Sequence, residues 1–345
     1  MNFSFSDDQL AFRDAVRTLL DKECSPEAVR AAWSRSESSG RDRDRPSDVW
    51  RRLSEMGVAG MTAPEEAGGL GMTDVDLVLV LEESGRAAVP EPVIEHVAVA
   101  VPAVRDGGGK IANRWLEALV GGDVIATVGL GIAPLVPDAD RATLLLDDHD
   151  GCLHLIELAS CDVNPVRSVD GGRPLFTVAW SAERDTKVDA DFALAFDRAA
   201  VGAAAQLVGL TDRMISMAVE YASAREQFGR AIGSFQAVQH RLADALLRLE
   251  FARPAVYRAA YALAHDEPDR SVHVSMAKAY AGEAANIAAR AALQVHGAIG
   301  YSWEHDLHLF MKRAWSLAAA YGDVRFHRRR VGDWLWGSTK GATNG

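Results

Sequence analysis

The stretch Tyr221 to Gln236, YASAREQFGRAIGSFQ, decides how the rest of the chain is read. An Ala-rich amphipathic segment runs into Arg225 and Phe228, Gly229 and Gly233 make a turn, and Ser234 stands where it can cap a second helix that opens on Phe235 and Gln236. Two long helices joined by so short a connection pack antiparallel, which is the start of a bundle. Arg225 at that junction offers a two-pronged cation beside unpaired backbone donors, which is what a phosphate or pyrophosphate needs. An ordinary helical hairpin with a surface arginine is the competing reading of the same residues.

Working outward, residues 196–337 stay Ala-rich and amphipathic, with breaks near 229–233, 266–269 and 297–300, so four long helices are expected there. Pro254 should kink or interrupt the second of them, and 338–345 read as a tail. Residues 123–195 have a different texture. The short runs VIATVGL, ATLLLDD, CLHLIEL and LFTVAW, divided by Pro, Asp and Gly, predict a small β domain. Residues 1–122 return to helical spacing: Leu10, Phe12, Val16, Leu19 and Leu20 recur behind Ser6-Asp7-Asp8, and further helices are expected over 47–56 and about 73–88. Ser34 to Pro46 is polar throughout and reads as an exposed loop.

The chain has 345 residues, and 37 Lys and Arg against 48 Asp and Glu leave a net charge of −11, a field that argues against a nucleic-acid partner. Hydrophobic residues at 48% suffice for a large core and exclude a disordered composition. Cys24, Cys152 and Cys161 form no CxxC pair, the pattern of a reduced cytoplasmic protein without disulfides. The acidic start has no apolar signal run, and no stretch reaches about 18 uninterrupted apolar residues, so neither export nor a membrane span is expected. Gly129-Leu130-Gly131 lacks the third glycine and the following helix of a dinucleotide turn. His305 and His308 have no further ligand cluster, so no metal is expected. Neither a GxSxG elbow nor a Walker loop is present.

The run REQFGRAIGSFQAVQHRLAD, residues 225–244, resembles the flavin-binding hairpin of the acyl-CoA dehydrogenase family. Gln294-Val295-His296-Gly297-Ala298-Ile299-Gly300-Tyr301 is similar to the family's Q-x-x-G-G-x-G turn. PEEAGGLGM, residues 64–72, with Glu82-Glu83 in the helix after it, is similar to its N-terminal motif. The three stand in the family's order across nearly the whole chain. The resemblance implies an α-helical N-terminal domain, a small β domain and a C-terminal four-helix bundle. It implies α,β-dehydrogenation of an acyl-CoA thioester, in which a carboxylate takes the α proton and the β hydrogen passes as hydride to FAD. It places Arg225, Phe228, Ile232, Phe235 and Gln236 on the FAD of a neighbouring subunit, with Arg225 at the pyrophosphate, and Gln294, Gly297 and Gly300 along the adenosine end. A homo-oligomer or a mixed oligomer with a sister chain, and an electron-accepting flavoprotein, are the partners it implies.

Departures from the family pattern bear on catalysis. The family's catalytic Glu stands before Gly in a Y-E-G-T turn. That slot holds Tyr321, before Gly322 and Asp323, and the alternative slot beside Arg198 holds Ala199. Asp323 is the nearest acid. Ala298 replaces the second Gly of its turn, and the short β domain lacks the T-E-P, G-S-D and W-I-T segments, with Ala126-Thr127-Val128-Gly129 where T-E-P is expected. Three functions stay open: a dehydrogenase with Asp323 as base, a non-catalytic partner subunit lending Arg225 and its neighbours to FAD held by a catalytic sister chain, and a flavin-dependent monooxygenase on the same fold.

Overall fold

A computed structural model describes residues 4–37, 47–183 and 186–342. Four helices open the chain: α1 (Asp7–Glu23), α2 (Pro26–Glu37), α3 (Asp48–Glu55) and α4 (Asp74–Arg86). Each of three has a side-chain cap at its start. Ser6 and Gln9 exchange hydrogen bonds in a capping box, Thr73 and Asp76 do the same, and Ser47 Oγ accepts from the Trp50 N–H at 3.0 Å. Helix α2 runs past Ser34 to Glu37, and the remainder of the expected polar loop, 38–46, lies outside the described residues.

The apolar run after Pro92 winds as a π-helical segment, Val93–Ala100, and tightens into α5 (Val101–Gly107). It carries Glu95 and His96 into the core, where both are buried. The His96 imidazole clamps two regions: its Nε2–H donates to the Leu119 carbonyl at 3.0 Å while Nδ1 accepts from the Ala126 N–H at 3.0 Å. Burial pushes its pKa down to about 4, so the ring stays neutral as this pairing requires. Helix α6 (Gly109–Gly121) ends on Gly122 in the left-handed region (φ 77°), and that carbonyl accepts from Trp50 Nε1 at 2.9 Å.

The middle of the chain forms two small sheets. Strands β1 (Ala126–Val128), β3 (Leu144–His149), β4 (Cys152–Glu157) and β7 (Lys187–Val188) make one, in the order β1-β3-β4-β7; β2 (Val136–Pro137), β6 (Leu175–Ala179) and β5 (Asp162–Val166) make the other. The β3–β4 hairpin turns through Asp150 and Gly151, both at positive φ, in register Leu144↔Glu157 to His149↔Cys152. Leu145, Ile156, Leu158 and Phe176 form a separate small core between the sheets.

Five helices follow: α7 (Phe192–Ala224), α8 (Gln236–Ala264), α9 (Arg270–His296), α10 (Leu307–Ala319) and α11 (Val324–Ala342). The first three are the long antiparallel helices of the bundle, and α8 passes through Pro254 without ending. The expected tail is partly helical, since α11 continues to Ala342. Helix α7 is long and apolar enough to cross a membrane, but 89% of its most apolar window is buried inside the protein, the condition of a core helix. It lies against α4 at a crossing that only glycines allow. A Cβ on Gly209 would stand 1.9 Å from the Glu82 carbonyl oxygen, and one on Gly85 would stand 2.2 Å from that of Gln206. Gln206 Nε2 donates to Ser84 Oγ at 3.0 Å within the same contact.

Candidate cofactor and catalytic site

Helix α7 stops where Arg225 turns extended (φ −79°, ψ 123°), and the chain reverses through a two-residue-per-strand hairpin, β8 (Glu226–Gln227) and β9 (Arg230–Ala231). Its tip, Phe228 (φ 54°) and Gly229 (φ 78°), has both central residues left-handed, as a type I′ turn demands. Phe228 is 92% exposed as well, so a bulky apolar side chain holds an unfavourable backbone conformation in water. A short 3-10 turn over Ile232–Ser234 leads into α8, which begins at Gln236 without a side-chain cap. Ser234 is not the cap; its Oγ donates to the Ala231 carbonyl at 2.7 Å, because the intervening 3-10 turn points it backwards. Phe235 meets Phe228 edge to face at 6.2 Å between centroids, and the Arg230 guanidinium lies 4.1 Å over the Phe235 ring. Ile232 packs against the core, Gln236 is exposed, and Arg225 is exposed with no carboxylate partner among the described residues.

Helix α9 runs parallel to α7 and ends beside it. Its last residue, His296, stacks on Tyr221 at 4.6 Å and 24° between planes, which ties the Arg225 junction to the turn Gly297–Tyr301. Gly297 leaves the helix at φ 63° and ψ −137°, with open space where a Cβ would stand. Gly300 is buried and packs 3.1 Å from His296 Cβ by the same measure. Gln294 is exposed on the last turn of α9. One end of the bundle therefore collects Arg225, Phe228, Ile232, Phe235, Gln236, Gln294, Gly297 and Gly300.

The two expected base slots lie elsewhere. Ala199 is fully buried in the first quarter of α7, and neighbouring Arg198 pairs with Asp106 at 2.9 Å. Tyr321 follows α10 in the left-handed region (φ 53°), and Gly322 continues it at φ 95°, where a Cβ would stand 2.5 Å from Phe326. The Tyr321 side chain turns into the protein, and its hydroxyl donates to Glu95 Oε1 at 2.7 Å. Arg173 Nη2 donates to the same oxygen at 2.8 Å. All three groups are buried. Burial, with the Glu95 charge acting in the same direction, drives the Tyr321 phenol well above its ordinary pKa, so it stays protonated.

Behind this triad lies a second buried group. Lys278 Nζ donates to the carbonyls of Gly322 at 2.9 Å and Ala318 at 3.1 Å, and burial pulls its pKa down to about 7, against the opposing pull of Asp323. His327 bonds the Tyr321 carbonyl at 2.9 Å through Nε2 and faces Ser275 through Nδ1; burial and Lys278 lower its pKa to about 4. Asp323 points away from the triad. Its Oδ1 accepts from the Phe326 N–H at 2.8 Å, and it lines an outer hollow with Asn286, Arg325 and Arg328. Tyr321 and Arg173 instead wall a separate cavity of about 280 Å³ between the β region and α10, below the roughly 300–1,000 Å³ usual for ligand sites.

Glu95, Arg173 and Lys278 escaped the sequence reading. Glu95-His96 inside an apolar run, and Lys278 inside an Ala-rich stretch, carry the signal that could have found them, since an ionisable group there must be buried with a partner. The sequence motif at 304–308 gathers no ligand set, and the one cluster of three potential metal ligands among the described residues, Glu267, Asp269 and His273, already encloses the Arg258 guanidinium.

Comparison with known proteins agrees with this architecture. Residues 6–123 match the family model "Acyl-CoA dehydrogenase, N-terminal domain" and residues 191–336 match "Acyl-CoA dehydrogenase, C-terminal domain". The chain is 33% identical to Acyl-CoA dehydrogenase IpdE2 of Mycobacterium tuberculosis over 327 residues, 94% of this chain and 96% of that protein. Among solved structures, a chain of the ChsE4-ChsE5 complex from Mycobacterium tuberculosis superposes with a TM-score of 0.85 at 26% identity, covering 97% of this chain and 99% of that one. Butyryl-CoA dehydrogenase from Megasphaera elsdenii superposes with a TM-score of 0.84 at 19% identity, covering 97% and 100%, a likeness of fold.

Proposed function

The chain belongs to the acyl-CoA dehydrogenase family, and from that premise we propose that it serves acyl-CoA dehydrogenation as the cofactor-contacting partner of a catalytic sister chain. One observation carries this reading: in the slot of the family's catalytic Glu, Tyr321 donates its hydroxyl to buried Glu95, which Arg173 also holds. A general base must be ionised or have a free lone pair within reach of the proton it takes. The phenol is protonated and already spent on Glu95. The Glu95 carboxylate is itself buried, at 2% residue exposure, and accepts both hydrogen bonds through one oxygen. Asp323 does not line the cavity beside Tyr321.

The other end of the bundle fits an FAD phosphate. Arg225 presents a guanidinium with no carboxylate partner among the described residues, and Phe228 and Phe235 present aromatic surface whose exposure a second chain and its cofactor would relieve. In the bound state FAD supplies hydride acceptance. Arg225 then neutralises pyrophosphate charge, Phe228 and Ile232 exclude water from the hairpin, and Gln294 with the Gly297–Gly300 turn holds the far end of the molecule. The mixed assembly named for ChsE4-ChsE5 lends weight to a partner of the same fold.

The test is anaerobic mixing of the purified chain, supplied with FAD, with a panel of acyl-CoA thioesters while flavin bleaching is followed, first alone and then with a co-expressed sister chain that carries a Glu before Gly in the corresponding turn. The expected result is bleaching in the mixed sample only. Rapid bleaching by this chain alone that Asp323→Asn abolishes overturns the reading in favour of a self-sufficient dehydrogenase.

A further inference from the structure

Four buried carboxyls and three guanidiniums meet where the bend at 90–92, the π-helical segment and the β region come together. Three pairs balance: Glu91 with Arg141 at 2.7 Å, Glu95 with Arg173 at 2.8 Å, and Asp170 with Arg313. Asp138, at 3% residue exposure, is the fourth acid. Its Oδ1 accepts from Arg141 Nε at 3.2 Å, so it shares a guanidinium already committed to Glu91 and to the Pro90 carbonyl, which Nη2 reaches at 2.7 Å. Ser47 Oγ, the cap of α3, donates to the other Glu91 oxygen at 2.6 Å. Arg141 thus clips the turn after β2 to Pro90 and Glu91 and, through Ser47, to the start of α3. Asp138 also holds a left-handed backbone (φ 54°), which Asp tolerates better than most side chains.

From this arrangement we infer that Asp138 is a proton-operated latch between the β region and the N-terminal helices. Protonated, it leaves Arg141 wholly to Glu91 and Pro90, and β2 with the turn after it is held down. Ionised, it adds an unmatched negative charge to a buried site and loosens them, because a charge in an apolar interior is costly without a counter-charge of its own. The groups that face Asp138 are Asp140 and Arg141 from its own loop, Glu95 from the π-helical segment and Arg173 from the loop before β6, with Glu91 behind Arg141. Burial, opposed by Arg141 and reinforced by Glu95, pushes the Asp138 carboxyl up to about 7 from an ordinary 3.8. With the folded value above the unfolded one, the stabilisation is complete below the unfolded pKa and is lost as pH rises through about 7. Pro137, the residue before the latch, lines the cavity beside Tyr321, so protonation of Asp138 sets how firmly that wall is held. The latch works the same way whichever chain of an assembly carries out the chemistry.

The test is hydrogen exchange of the purified full chain, read by mass spectrometry and corrected for the chemical dependence of exchange on pH, with infrared difference spectroscopy of the carboxyl C=O band as a second readout. Amides over 136–146 should exchange about tenfold faster at about pH 8.5 than at about pH 5.5, the effect of one pKa unit between the held and loosened states, while those of α7 stay unchanged. The protonated-carboxyl band should fade over the same range and be missing in Asp138→Asn. Asn keeps the shape of the protonated acid and tolerates the left-handed backbone, so Asp138→Asn should show the low-pH protection at both pH values. Glu91→Gln removes the competing carboxylate from Arg141, and the midpoint should then move to lower pH. This second variant and the wild-type infrared band decide the question even if Asp138→Asn fails to fold. Exchange over 136–146 that is independent of pH, a transition that survives Asp138→Asn, or a midpoint that Glu91→Gln leaves in place overturns the assignment.

Discussion

Removing the Glu95 carboxylate tests how the buried triad is held together. Glu95 and Arg173 have side chains 3% and 9% exposed, joined at 2.8 Å, and the same Glu95 oxygen accepts the Tyr321 hydroxyl at 2.7 Å. Glu95→Leu therefore leaves a guanidinium buried without its counter-charge, a loss that typically costs about 3–5 kcal/mol. It also strands a buried hydroxyl, worth about 1–3 kcal/mol, although the two share one site and do not simply add. A destabilisation of about 4 kcal/mol or more is expected, a large share of the 5–15 kcal/mol that ordinary proteins possess. Tyr321→Phe removes only a hydrogen bond to a charged group and should cost about 1.5–3 kcal/mol. Arg173→Met placed on top of Glu95→Leu replaces the stranded cation with an apolar chain and should recover at least about 2 kcal/mol. The assay is equilibrium urea unfolding of the single variants, Glu95→Leu, Arg173→Met and Tyr321→Phe, and of the double, followed by circular dichroism and tryptophan fluorescence. A loss below about 1 kcal/mol in Glu95→Leu, or simple additivity in the Glu95–Arg173 cycle, would refute the argument that these buried charges depend on each other.

Three other outcomes are expected. Lys278, with a folded pKa of about 7 against an ordinary 10.5, binds its proton more weakly folded than unfolded, so its contribution to stability is present above the unfolded pKa and is lost as pH falls toward 7. Stability measured by urea unfolding should rise from pH 7 to 9.5 with a slope of up to about 1.4 kcal/mol per pH unit, and Lys278→Met should flatten it. Gly209→Ala forces a Cβ to within 1.9 Å of the Glu82 carbonyl oxygen and should cost about 1–3 kcal/mol as α4 and α7 separate, whereas Gly337→Ala, in α11 with nothing within 4 Å and no positive φ, should cost nothing; equal losses in thermal unfolding would contradict the close-approach account. Arg225→Ala should lower the FAD retained by the assembled oligomer after gel filtration without changing the helical circular dichroism, and an unchanged flavin-to-protein ratio would exclude a phosphate contact.

The order of helical, β and helical regions is legible because it depends on local periodicity. The runs ATLLLDD, CLHLIEL and LFTVAW became β3, β4 and β6, and Ser6, Ser47 and Thr73 mark helix starts through bonds made within three residues. Strands β2 and β7, of two residues each, carry no periodic signal and exist only because a partner strand passes. Ser234 was misread as a cap for a similar reason, since the 3-10 turn before α8 is selected by the packing of Ile232 and the hairpin, not by local propensity.

At the candidate site the division falls along the same line. From its own residues the chain determined that Arg225 and Phe228 stand on a hairpin between two long helices, and that neither Tyr321 nor Ala199 is a carboxylate. Side-chain identity and turn chemistry suffice for that. Only the folded chain brings Arg173 and Tyr321 onto one Glu95 oxygen, from 78 and 226 positions further along the chain. Long-range pairing of this kind leaves no mark in the spacing of any one segment. The triad forms because burying an ionised group in an apolar interior is costly until a counter-charge and donors meet it, and the tertiary packing of the π-helical segment, the loop before β6 and the end of α10 is what supplies them.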